Sequence, residues 1–166
     1  EIMEKIVETY NLDGDYFYSH SIKGIPLRIG WSRSMNSDSL QIRKLPPVVP
    51  PPEKLWIPHQ LLDVIKNYQA GGLVVISAPP QNGKSTTIAS ALQDFANKNV
   101  VNIITFEDPV EYIYTKDSLA CIRQRELLFD VSSYKKAIAA SLKQSIGIAM
   151  VQEMTTNSIM ESVSEL

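Results

Sequence analysis

Gly83, Lys84 and Ser85 are the residues whose types and order most directly suggest chemistry. They close the stretch Ser-Ala-Pro-Pro-Gln-Asn-Gly-Lys-Ser-Thr-Thr, residues 77–87. A turn of the form Gly-x-x-x-x-Gly-Lys-Ser/Thr between a strand and a helix cradles phosphates. Its backbone N–H groups form a concave anion site, and the helix N-terminus adds partial positive charge. In this pattern Ala78, Pro79, Pro80, Gln81, Asn82, Gly83, Lys84, Ser85 and Thr86 form the nucleotide-binding turn. Lys84 reaches the β- and γ-phosphates, and the Ser85 hydroxyl joins the shell of a Mg²⁺ ion. Ala78 stands where the first glycine usually does. Alanine is small and fits there if φ is negative. With Ala allowed, such a match arises by chance in roughly 1 in 100 chains of this length. The competing reading is an ordinary strand-to-helix loop.

Phosphoryl transfer also needs carboxylates at the ends of neighbouring strands, to orient the metal and the attacking water. Thr-Phe-Glu-Asp-Pro-Val-Glu-Tyr (105–112) supplies Glu107, Asp108 and Glu111, and Met-Val-Gln-Glu-Met (150–154) supplies Glu153. A single acidic residue in a loop is ordinarily just solvated. Two clusters at strand ends beside a phosphate turn favour a site, because ligands of open α/β sheets gather outside the carboxyl ends of the strands.

These groups need elements to hold them. Leu-Val-Val-Ile-Ser (73–77) reads as a buried strand leading into the turn. A helix starts near Lys84, with Ile88, Leu92 and Phe95 on one side. Residues 100–106 and 146–151 read as two further buried strands, and Ser132-Ser133 caps a helix carrying Tyr134, Ile138 and Leu142. Alternating strands and helices predict an α/β fold with a mainly parallel sheet. Pro58 opens an earlier helix carrying Leu61, Leu62, Ile65 and Tyr68, which Gly71-Gly72 ends.

Upstream the pattern differs. Five of the ten prolines fall in Pro-Pro-Val-Val-Pro-Pro-Pro (46–52), which reads as a stiff extended linker. Before it, Ile2, Ile6, Val7 and Tyr10 share a helical face, and three short strand patterns follow within 15–45. A helix and then antiparallel strands suggest the end of a small α+β unit. The division is therefore 1–45, a proline-rich linker at 46–53, and a P-loop unit at 54–166. Glu1 opens the sequence and its last residues read as a helix without a stop signal, which suggests a segment cut at both ends.

The 166 residues are 44% hydrophobic and 20% charged, with a formal net charge of −2. That balance argues mildly against direct nucleic-acid binding, which needs a basic surface. Cys121 is the single cysteine, so the chain forms no internal disulfide, which fits a reducing cytoplasm. No apolar run approaches the roughly 18–20 residues that span a bilayer.

Ile-Ser-Ala-Pro-Pro-Gln-Asn-Gly-Lys-Ser-Thr-Thr-Ile-Ala-Ser-Ala-Leu, Ile-Thr-Phe-Glu-Asp-Pro-Val-Glu-Tyr, Ile-Arg-Gln-Arg-Glu and Ala-Met-Val-Gln-Glu-Met, in this order and spacing, resemble the type II/IV secretion and type IV pilus ATPases, in particular the PilT-like retraction motors. The likeness runs from about residue 54 to 156, and Ile-Pro-Leu-Arg-Ile-Gly-Trp (25–31) onward resembles the last strands of that family's PAS-like N-terminal domain. The resemblance implies a hexamer of RecA-like domains that hydrolyses ATP with Mg²⁺. Such a motor works in the cytoplasm, peripheral to the inner membrane, on a platform protein. It makes Ser85, Asp108 and Glu153 the Mg²⁺ residues, and Glu107, Glu111, Glu153, Arg123 and Arg125 the catalytic set. The two arginines would act on the γ-phosphate, often across a subunit boundary, and Arg28, Arg33 and Arg43 would do likewise from the N-terminal unit. A plain salt-bridge role stands beside this for each arginine.

The chain departs from the family pattern at several points. Gln152 replaces the glycine before the Walker B glutamate, Thr155-Thr156 replaces an Arg-Asp, and Ser145-Ile146-Gly147 replaces an Asp-Pro-Asp. These departures motivate a second reading, a degenerate non-hydrolysing assembly subunit. A third, an unrelated small P-loop kinase, fits the Glu-Asp-Pro-x-Glu box poorly.

Overall fold

The computed structural model describes residues 16–35, 37–46, 48–67, 71–127 and 129–164. The helix expected around Ile2–Tyr10 lies outside these residues, as does Tyr68.

Three alternating segments form the first sheet: β1 (Tyr16–Ile22), β2 (Ile25–Ser34) and β3 (Ser37–Lys44). They pair antiparallel in sequence order, with a two-residue turn, Lys23-Gly24, between the first two. The register sets Ser19 opposite Arg28 and Arg28 opposite Arg43, so the three lie in one row across the sheet. The proline-rich run connects and also packs: Val49 and Pro52 are buried, Val49 in a cluster with Leu92 and Phe95. A short 3-10 turn (Pro52–Leu55) leads to α1 (His59–Lys66), which starts after Pro58 as expected. It closes at Asn67, ahead of Gly71-Gly72.

The second sheet is parallel, in the order β5–β4–β6, with β4 (Asn102–Glu107) at its centre between β5 (Cys121–Glu126) and β6 (Ile148–Val151). Period-two alternation sends Ile103 to one face, against α2 (Lys84–Lys98). Ile104 and Phe106 go to the other, against Tyr134, Ala137 and Ile138 of α3 (Tyr134–Ser141), and α4 (Asn157–Ser164) joins α3 there. A central strand covered on both faces must be apolar almost throughout, which is why Ile103, Ile104 and Phe106 are at most 1% exposed.

Ser133 caps α3 by accepting the Lys136 N–H at 3.3 Å. Replacing it with alanine leaves that donor without its partner and is expected to cost about 1 kcal/mol, read as a lower urea midpoint at unchanged slope.

The structure corrects one expectation. Residues 73–77 form no strand: the run joins no ladder, although among the described residues β5 and β6 each keep an unpaired outer edge. Leu73, Val74 and Val75 remain 65%, 46% and 58% exposed. An apolar β-branched run reports a preference for burial in a sheet, but a strand also needs its N–H and C=O groups to meet those of a partner, and here they do not.

Candidate functional site

The turn before α2 is built around a left-handed residue. Gly83 is the N-cap, with φ +76°. A β-carbon there would meet nothing within 4 Å, so backbone conformation, not crowding within the chain, calls for glycine. Gln81 is also left-handed, at φ +64°. Among the described residues only Lys23, Trp56 and Gln81 combine a side chain with positive φ, so Ala78 keeps the negative φ that makes alanine acceptable. Asn82 braces the turn by donating to the carbonyls of Pro79 and Pro80 at 3.3 and 3.1 Å. The Lys84 ammonium folds back over it and donates to the carbonyls of Ala78 and Pro79, both at 2.9 Å. The first N–H groups of any helix lack an intrahelical acceptor. Those of α2 therefore open onto an accessible turn with a cation at its mouth, an arrangement that can take an anion.

The acidic loop leaves the end of β4. Glu107 is only 4% exposed. Its carboxylate accepts from the Thr105 hydroxyl at 2.6 Å and the Gln124 amide at 3.0 Å. Burial raises its pKa, and those hydrogen bonds partly oppose the rise. Asp108 is exposed, and its pKa is also raised, first by partial desolvation and then by the charges of Glu153 and Glu126, with Arg28 opposing. Asp108 and Glu153 therefore sense each other across the ends of β4 and β6. Glu111 is paired with Arg28 of β2 at 2.9 Å, each side chain 27% exposed. Among the described residues, no three His, Cys, Asp or Glu side chains cluster closely enough to hold a metal by themselves.

Two contacts tie this loop to the rest of the site. The hydroxyls of Thr86 on α2 and Tyr112 lie 2.9 Å apart, so the phosphate turn's helix and the acidic loop share a hydrogen bond. Gln152 accepts the Asp108 N–H at 2.7 Å while its own N–H donates to the Phe106 carbonyl at 3.0 Å. The residue that departs from the family pattern thus fastens the acidic loop to the end of β6.

Arg123 and Arg125 are not brought to this cluster. Alternation along β5 sends Gln124 and Glu126 toward the acidic loop and the two arginines to the opposite face. There they border a depression with Ile104, Asp130 and Gln144, which Gln124 between them also lines. Arg125 donates to the Asp130 carbonyl at 3.1 Å, and Arg123 is exposed. Arg28 engages Glu111, Arg43 is exposed beside it in the row, and the Arg33 side chain lies outside the described ones.

Sequence reasoning missed Gln124, Glu126, Tyr112 and the contact of Gln152. The signal for the first two was available, since Arg-Gln-Arg-Glu read with period two separates an amide-carboxylate face from a cationic one.

The family described as type II/IV secretion system protein matches residues 55–161. The type IV pilus retraction ATPase PilT of Pseudomonas aeruginosa is 36% identical over 84 residues, which is 50% of this chain and 24% of that protein. The type IV pilus ATPase PilU of the same organism is 29% identical over 146 residues, 87% of this chain and 37% of that protein. Among solved structures, the pilus retraction motor PilT with bound ADP superposes with a TM-score of 0.83 at 28% identity, over 98% of this chain and 46% of that one. The chain thus spans less than half the length of these relatives, and its α/β architecture is that of the retraction motor. The phosphate turn and acidic loop fall within the matched segment, and the chain belongs to the type II/IV secretion system protein family.

Proposed function

We propose that this chain is the nucleotide-binding part of an ATP-hydrolysing motor subunit of a type IV pilus or type II/IV secretion machine. The observation that carries the reading is the joining of an accessible cationic turn at the start of α2 to an acidic loop through Thr86 and Tyr112. Residues 78–86 hold the phosphates in this reading, with Lys84 moving from its carbonyl contacts to the β- and γ-oxygens. Ser85, Asp108 and Glu153 are all hard oxygen donors. They fit Mg²⁺, which is commonly bound by one or two carboxylates plus substrate phosphates and water. Bound there, the ion would neutralise charge on the β- and γ-phosphates. Glu107, Glu111 and Glu153 supply the carboxylates that polarise water.

Arg123 and Arg125 face away from the chain's own phosphate turn, which supports a role at the site of a neighbouring subunit in a hexamer. The division at the proline-rich run, with residues 1–45 before it and 54–166 after it, belongs to the same proposal. So do a cytoplasmic location at the inner membrane and a platform-protein partner. No helix among the described residues is long and apolar enough to cross a membrane.

One observation favours the non-hydrolysing reading: the carboxylates of Glu107 and Glu111 are both engaged within the chain. Steady-state MgATP turnover by the full-length protein, measured across protein concentration, separates the two. Turnover that rises with assembly supports the motor, and binding without turnover at every concentration supports the assembly subunit. Absence of both contradicts each.

A further inference from the structure

The acidic loop is gripped from the first sheet as well as from the second. On β1, Phe17 and Ser19 share a face, and the register sets them opposite Gly30 and Arg28 of β2. The Phe17 ring covers Gly30 so closely that a β-carbon there would lie 2.6 Å from it. The Arg28 guanidinium sits 5.1 Å from the same ring's centroid, braced as it reaches Glu111. Its row neighbour Ser19 reaches the second sheet. The Ser19 N–H donates to Glu126 Oε1 at 2.8 Å, and the Ser19 hydroxyl donates to Glu126 Oε2. Glu126 Oε2 also accepts the Val110 N–H at 2.9 Å. The Glu126 carboxylate is 4% exposed, and its own backbone N–H is anchored to Asp130 Oδ2 at 2.9 Å. One row of the first sheet therefore holds two successive residues of the loop, Val110 through Glu126 and Glu111 through Arg28.

We propose that Ser19, Glu126 and the Val110 amide form a clasp by which the first sheet sets the position of the acidic loop, and that Glu126 is a positioning residue for the ATP hydrolysis proposed above, on which this part of the inference rests. A buried carboxylate with three donors is costly to disturb, because each lost acceptor leaves a donor without its partner. Any displacement of the first sheet against the second is then transmitted to the backbone that carries Asp108 and Glu111.

The test uses Glu126→Gln and the milder Ser19→Ala in the full-length protein. Glutamine keeps the volume and loses one acceptor oxygen, whereas Ser19→Ala removes only the hydroxyl donor. Amide hydrogen exchange of the nucleotide-free protein reads the clasp without reference to activity. Residues 108–112 are expected to exchange about tenfold faster in Glu126→Gln, and less so in Ser19→Ala, with 78–86 unchanged. In turnover, kcat is expected to fall on the order of tenfold, with KM within about twofold. The double variant is expected to be no worse than Glu126→Gln alone, as for two members of one contact. Unchanged exchange at 108–112 in both variants overturns the clasp. A fall of kcat together with KM and melting temperature overturns the positioning role in favour of a purely structural one. If the wild type neither binds nor hydrolyses MgATP, the ATPase reading fails and the exchange experiment alone still decides the clasp.

Discussion

Lys84→Ala in the full-length protein is expected to lower both MgATP affinity and turnover by on the order of 100-fold or more, with melting temperature nearly unchanged. The position of the ammonium sets both effects. It is held by two neutral carbonyls, those of Ala78 and Pro79, at 2.9 Å each, at the mouth of an accessible turn. Exchanging them for charged phosphate oxygens gains charge-assisted hydrogen bonds, each worth about 1.5–3 kcal/mol. Losing one or two such bonds corresponds to one to several powers of ten in affinity. Alanine is an excellent helix residue and Lys84 is the first residue of α2, so the fold loses little. Parallel titration, turnover and thermal melts check all three parts. An affinity within twofold of wild type would mean that the turn is not where the phosphates bind.

Phe106→Ala is expected to produce the largest loss of stability, about 3–5 kcal/mol. Phe106 is 0% exposed on the central strand, packed against α3. Removing the ring leaves a cavity that β4 cannot close, because β5 and β6 hold its backbone on both edges. Against a typical domain stability of 5–15 kcal/mol, that is a large fraction. Phe106 also sits between Thr105 and Glu107, and its carbonyl receives the Gln152 N–H. Nucleotide affinity should therefore fall with stability in this variant, unlike in Lys84→Ala. Urea denaturation measures the loss, and a change below about 1 kcal/mol would mean that the packing around β4 is misplaced.

What was legible in the sequence follows physical range. The three strands of the first sheet show in alternation and turn residues, and the phosphate turn shows in eleven contiguous residues, 77–87. These are local signals. The run at 73–77 carries the apolar signal of a strand, yet a strand exists only where its backbone meets a partner's, and this run pairs with neither outer strand, β5 or β6. β5 shows in the sequence only as a motif, because Arg123, Gln124, Arg125 and Glu126 lack the apolar content that marks a strand. Its order comes from pairing with β4 and from side chains that serve the acidic loop. The partners of Gln152 and Arg28 lie 44 and 83 residues away, so no spacing rule reaches them. In sequence Gln152 is a departure from the family pattern and Arg28 is open between a γ-phosphate role and a salt bridge; the fold sets the first beside Asp108 and pairs the second with Glu111.

In the proposed function, residues 78–86 hold the phosphates of MgATP and work with the acidic loop. The most direct measurement is amide hydrogen exchange of the full-length protein with and without saturating MgATP. Protection is expected to concentrate at 78–87, where the N–H groups of the turn and the first turn of α2 take up phosphate oxygens, with a second protected segment at 108–112. Saturable MgATP binding that leaves both segments unprotected, or protects a different part of the chain, would contradict that function.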